Sequence, residues 1–245
     1  MRRHKIVISY DGTNYAGWQC QPNGMSIQEV VEGALAQIVG EKIKIFGSGR
    51  TDRGVHARGQ VAHADFSTSV VQADLTHSLN AVLPDDIRIV RISRAVTDFD
   101  ARKSAREKEY RYLIWDDPVL PPFIRAYRAH RRKALNVEAM QKAARHLEGR
   151  HDFAAFTANS KRPKGSSTRM LYELSIRRRG HDVVIVARGE GFLYKMVRSL
   201  AGFLIRVGEG SASPSEARTL LAAGKRTAKV PTAPPQGLFL WSVRY

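Results

Sequence analysis

Between residues 4 and 96 the chain changes hydrophobic period in an order that few folds can hold. Residues 4–10 alternate apolar and polar as a strand does, and Asp11-Gly12-Thr13-Asn14 stops them with turn chemistry. Ser26 with Glu29 three positions later opens a helix through Ile27, Val30, Val31, Ala34, Leu35 and Ile38, which Gly40 ends. Two strand-like runs follow, residues 42–48 and 59–67, then a helix over 73–82, then a strand over 87–96 behind Pro84-Asp85-Asp86. The order is β-α-β-β-α-β.

The second half repeats it. Residues 109–115 alternate, a helix over 137–147 lies between Asn136 and Gly149, and strands over 169–178 and 183–188 flank Gly180-His181-Asp182. Phe192, Met196, Leu200, Phe203, Leu204 and Val207 recur at helical spacing, and residues 238–245 close the pattern as a strand. An added helix starts at Ser213-Pro214-Ser215-Glu216, with proline at its first position. This predicts an α+β protein of two fused ferredoxin-like halves, 1–100 and 101–245.

The connection between the runs 42–48 and 59–67 is about ten residues, against the usual two to five for a hairpin, and long ordered loops tend to carry function. It holds Gly49-Arg50-Thr51-Asp52-Arg53-Gly54-Val55-His56-Ala57, which crowds a carboxylate, two guanidiniums and an imidazole together. A solvated hairpin tip with Asp52 paired to Arg50 or Arg53 would use the same residues; so would an active-site loop. Neither CxxC, HExxH nor GxxxxGK[ST] occurs, so neither a metal nor a bound cofactor is expected.

The net charge of +17 calls for a polyanionic partner, and its distribution says where. Residues 1–100 carry 11 Lys and Arg against 11 Asp and Glu; residues 101–245 carry 29 against 12. The second half is therefore expected to grip RNA, through Arg125, Arg128, Arg131, Arg132, Lys133 and Arg177 to Arg179, together with the basic stretches 159–168 and 225–235, with no balancing acids. Those two stretches, with the proline-bracketed connector 117–122, are expected to be mobile or ordered by a partner. One cysteine, Cys20, and no apolar run of leader or membrane length at the start point to a reducing cytoplasm.

The run GRTDRGVHARGQ, residues 49–60, resembles the catalytic motif of the tRNA pseudouridine synthases of the TruA type. Further matches occur in that family's order: YDGTNYAGWQ at 10–19, KEYRY at 108–112, HDF at 151–153, GFLYKMVR at 191–198 and APPQGL at 233–238. The resemblance implies a pseudouridine synthase fold, with an extended, mostly antiparallel sheet and a central cleft between the halves. It implies a cofactor-free isomerase that acts as a homodimer on uridines 38 to 40 of the tRNA anticodon stem-loop. It makes Asp52 the catalytic carboxylate, Tyr110 the ring that stacks on the target base, Arg198 the cation that keeps Asp52 charged, and Arg50 a holder of the flipped nucleotide. Arg53, Lys103 and Lys195 depart from the family's usual residues, each adding positive charge. Two other readings remain open: a non-catalytic basic RNA-binding protein, and a synthase of the same fold acting on another RNA.

Overall fold

The computed structural model describes residues 1–68, 71–158 and 165–245, and the chain forms two compact units, Met1–Arg106 with Phe239–Tyr245, and Glu107–Leu238. It is an α+β structure whose strands pair mostly antiparallel.

The first unit runs β1 (Arg2–Tyr10), α1 (Ile27–Val39), β2 (Phe46–Gly47), β3 (His56–Phe66), α2 (Gln72–Val82), β4 (Ile87–Arg94). Its strands lie in the order β4-β1-β3-β2, each neighbour antiparallel, which is the ferredoxin-like arrangement that the periodicity predicts. Ile6, Ile8 and Tyr10 of β1 are buried with Ile27, Val31 and Leu35 of α1, and Leu75 and Leu79 of α2. Ser26 caps α1, its Oγ accepting the Glu29 N–H at 3.2 Å.

The run 42–48 forms less strand than its alternation predicts. Ile43 and Ile45 are buried as expected, but only Phe46 and Gly47 join the ladder. Side chains of α1 take the hydrogen bonds instead: Ile45 N–H donates to Glu32 Oε1 at 2.9 Å, and Gln28 Nε2 donates to the Ile45 carbonyl at 3.2 Å.

The second unit holds β5 (Glu107–Trp115), β6 (Ala129–His130), α3 (Val137–Arg145), β7 (Gly149–Asp152), β8 (Thr168–Arg179), β9 (Asp182–Gly189), α4 (Met196–Gly208) and α5 (Glu216–Ala223). Strands β5-β9-β8-β7 pair antiparallel in that order, and β6 adds to β5 in parallel. Helix α4 begins at Met196 rather than Phe192, because Lys195 turns the chain with φ 55° just before it. Pro214 lies ahead of α5 rather than in its first turn; Glu216 Oε1 accepts the Ser213 N–H at 2.9 Å and sets the start there. The last strand, β10 (Leu238–Arg244), lies with the first unit, its Phe239 and Leu240 parallel to His56 and Ala57 of β3.

The expectation of mobility fails at residues 225–235. Val230 and Ala233 are buried, and Ala233 N–H donates to the Arg198 carbonyl at 3.0 Å. The connector 117–122 is also tied down, with Trp115 Nε1 donating to the Val119 carbonyl at 2.8 Å. In both places backbone carbonyls, which composition does not reveal, are the anchoring groups. Within the third such stretch, residues 159–164 lie outside the described residues.

Candidate active site

The loop between β2 and β3 is fixed from two sides. From β3, the buried Gln60 donates through Nε2 to the Gly49 carbonyl at 2.9 Å, while its Oε1 accepts Ser48 Oγ at 2.8 Å and Val61 N–H at 3.1 Å. From β1 and the turn after it, the Tyr10 phenol shares a buried 2.8 Å hydrogen bond with Thr51 Oγ1, and Trp18 N–H donates to the Thr51 carbonyl at 3.2 Å. Burial pushes the Tyr10 phenol far above its ordinary value, so it stays protonated. Gly17 makes the approach possible: its φ is +108°, and a Cβ there would lie 2.6 Å from the Thr51 carbonyl.

Thr51 and Val55 are thus buried, and Val55 N–H closes a turn on the Asp52 carbonyl at 3.1 Å. Asp52 between them is partly exposed, its backbone held on both flanks. Arg50 and Arg53 are exposed, and Arg50 Nε donates to Gln19 Oε1 at 3.2 Å. At the start of β3 the buried His56 Nδ1 stands 3.0 Å from Asp11 Oδ1 and 3.1 Å from the Gly12 N–H. One ring nitrogen serves only one of these: a bare Nδ1 accepts from Gly12, and an Nδ1–H donates to Asp11.

Tyr110 and Arg198 belong to the second unit. Tyr110, on β5 opposite Ala187 of β9, is buried with its ring edge-to-face against Phe192, centroids 5.0 Å apart. Phe192 comes from the loop that leads into α4, and Arg198 stands on the first turn of that helix, its Nε donating to the Ala233 carbonyl at 2.8 Å. Tyr112, two residues along β5, is buried and donates its hydroxyl to the Pro234 carbonyl at 2.9 Å. The structure brings Asp52 and Arg50 onto one loop of the first unit, and places Tyr110 and Arg198 on a strand and a helix of the second. Among the described residues no group of His, Cys, Asp and Glu could hold a metal ion.

A family model described as tRNA pseudouridine synthase matches residues 6–102 and 143–245. The chain belongs to that family. Curated relatives named tRNA pseudouridine synthase A are similar along their whole length: 45% identical in Geotalea uraniireducens and 43% in Brevibacillus brevis, each over 100% of both chains. The relative in Oceanobacillus iheyensis is 42% identical over 100% of this chain and 97% of its own. A chain in the crystal structure of a Cbf5-Nop10-Gar1 complex is similar at TM-score 0.38 and 17% identity, over 82% of this chain and 45% of that one, too distant to bear on the argument. As a tRNA pseudouridine synthase of the TruA type, the chain is an isomerase that acts on tRNA.

The surface that a tRNA pseudouridine synthase offers its polyanion is narrower here than a count of cations suggests, and the expectation of no balancing acids is overturned. Arg178 binds the buried Asp116 through both its terminal nitrogens, at 3.0 and 2.6 Å. Arg128 pairs with Asp182 at 2.5 Å. Arg131 Nε lies 3.1 Å from Glu209, off the hydrogen-bond direction, so this is a charge contact rather than a hydrogen bond. Arg125, Arg132, Lys133 and Arg179 remain exposed, with no carboxylate partner among the described residues. No helix among those residues is long and apolar enough to cross a membrane. Sequence reasoning missed Gln60 and Tyr10 as supports of the loop, although both lie inside the motifs. It missed Arg226 altogether, since a lysine- and proline-rich stretch carries no signal of burial.

Proposed function

We propose that this chain converts uridine to pseudouridine at positions 38, 39 and 40 of the tRNA anticodon stem-loop, with Asp52 of the loop at residues 49–60 as the catalytic carboxylate. It does so as a cytoplasmic homodimer without a cofactor. Residues 1–100 carry the catalytic loop, and residues 101–245 supply most of the charge that meets the RNA.

The observation that supports this best is the loop's construction. A carboxylate whose flanking residues are buried and hydrogen-bonded, while it remains partly exposed itself, is preorganised toward a ligand. A surface ion pair needs no such support. The reaction breaks the N1–C1′ glycosidic bond, turns the uracil, joins C1′ to C5, moves the C5 proton off the base and returns a proton to N1. Positive charge develops at the sugar, and a carboxylate can attack C1′, stabilise that charge or take a sugar proton. All three uses require the anion.

The target must leave its stack before the base can turn. In this reading exposed Arg50 helps hold the flipped nucleotide, and Tyr110 stacks on its base, the ring meeting Phe192 edge-to-face. Arg198 supplies a further cation to the proposed substrate-binding set. Asp52→Asn keeps the size of the side chain and removes only its charge. It is expected to abolish pseudouridine formation in anticodon stem-loops while tRNA affinity stays within a few-fold of wild type. Turnover near the wild-type rate would return Asp52 to a structural role, and pseudouridine only at other sites would favour the reading of a synthase with another target.

A further inference from the structure

Arg226 lies far in sequence from each residue given a role above, yet its guanidinium is enclosed by acceptors. Nη1 donates to Ser199 Oγ at 2.7 Å; Nη2 donates to the Val230 carbonyl at 2.6 Å and to Thr232 Oγ1 at 2.8 Å. Ser199 is fully buried on the first turn of α4, directly after Arg198. Burial lowers the Arg226 pKa, but a guanidinium is so strong a base that it stays charged. All three acceptors are neutral oxygens, and no carboxylate pairs with Arg226 among the described residues. Holding a cation against neutral oxygens is a poor way to gain stability, because the lost hydration is only partly replaced. What this arrangement does supply is a fixed direction, through a planar fork with three partners.

The segment so fixed is the one that touches Arg198. Residues 230–233 cross α4 at Gly202, where a Cβ would lie 2.1 Å from the Pro231 carbonyl. Immediately beyond, Ala233 accepts Arg198 Nε through its carbonyl at 2.8 Å and returns its N–H to the Arg198 carbonyl at 3.0 Å. Pro234 then accepts the Tyr112 hydroxyl on β5. The carbonyl that orients the Arg198 side chain therefore stands on a strap whose course Arg226 sets.

We propose that Arg226 is a positioning residue for Arg198: by holding residues 230–233 across the first turns of α4, it sets the Ala233 carbonyl and so the direction of the Arg198 guanidinium. The inference rests on the role given to Arg198 under the proposed function. It is tested by single-turnover rates at saturating tRNA for Arg198→Ala, Arg226→Gln and the double variant. Leu220→Ala, a buried residue of α5, serves as a control for general loosening. Displacing a positioned group can slow a reaction by up to about 100-fold, so Arg226→Gln is expected to be about 10- to 100-fold slow with tRNA affinity little changed. The double variant should be no slower than Arg198→Ala, because both changes act on one guanidinium. Leu220→Ala should keep its rate at temperatures where it remains folded.

Three results would overturn the inference while leaving the role of Arg198 intact: a wild-type rate for Arg226→Gln beside a slow Arg198→Ala, multiplicative losses in the double variant, or an equal loss in Leu220→Ala. A wild-type rate for Arg198→Ala overturns the role itself and the inference with it. Should Arg226→Gln fail to fold, Thr232→Val removes one acceptor without changing shape. It is expected to slow the step in the same non-additive way, and a wild-type rate there counts against the inference.

Discussion

At the scale of single residues, His63 and His4 of the first unit are structural groups whose protonation state the fold selects. His63 on β3 is buried, stacks against Phe46 at 5.2 Å, and accepts the Ala101 N–H through Nδ1 at 3.0 Å. An imidazole that accepts through Nδ1 is neutral, and burial, assisted by the charge of Arg3, holds its pKa below the ordinary value. His4 on β1, stacked on Phe66 at 4.0 Å, is shifted the same way, chiefly by burial. The sign follows. The unfolded chain binds these protons more readily, so the contribution of both residues to stability is complete above the unfolded value of about 6.5 and is lost as pH falls below it. An NMR titration of the folded protein should therefore find the His63 midpoint below that of a histidine in an unstructured peptide. A midpoint at or above it would mean that the Ala101 hydrogen bond is not the one that holds the ring.

At the scale of elements, what the sequence made legible is what side-chain pattern encodes. The helix over residues 27–39 was readable because Ser26, its apolar stripe and Gly40 all agree, and β8 and β9 were readable from alternation around Gly180. The loop of Asp52 was legible through its residues, but the hydrogen bonds that hold it, from Gln60, Tyr10 and Trp18, join segments that only the fold brings together. The strap at 225–235 was illegible for a related reason: its anchors are backbone carbonyls and one arginine in a stretch whose composition reads as solvated. Gly202 gives that strap an element-scale test. Inside a helix, glycine to alanine ordinarily stabilises. At Gly202 the new methyl would meet the Pro231 carbonyl backbone, so the sign should reverse, with Gly202→Ala destabilising by about 1–3 kcal/mol as overpacked sites do. Denaturant melts of the two proteins decide it; a gain in stability would show that the strap yields easily and does not fix α4.

At the scale of the whole molecule, the excess charge divides into cations that hold the fold and cations that face solvent, and the two classes should answer differently to salt. Arg178 serves the fold. It satisfies both oxygens of Asp116, whose side chain is fully buried, and donates to the Leu135 carbonyl at 2.7 Å. Removing it would leave a buried carboxylate without its partner, which is costly to stability and irrelevant to counterions on RNA. Arg132 and Lys133 are exposed and have no acidic partner among the described residues. If such side chains neutralise phosphates, each contributes to the steepness with which tRNA affinity falls as salt rises. Arg132→Gln combined with Lys133→Gln should then flatten the plot of log affinity against log salt by about one to two in slope, weaken binding to every tRNA alike, and leave the melting temperature near wild type. Arg178→Gln should lower the melting temperature and, in the temperature range where the protein stays folded, keep the wild-type slope. An unchanged slope in the double variant would place Arg132 and Lys133 away from the RNA, and would leave the tRNA contacts to the exposed cations elsewhere in residues 101–245.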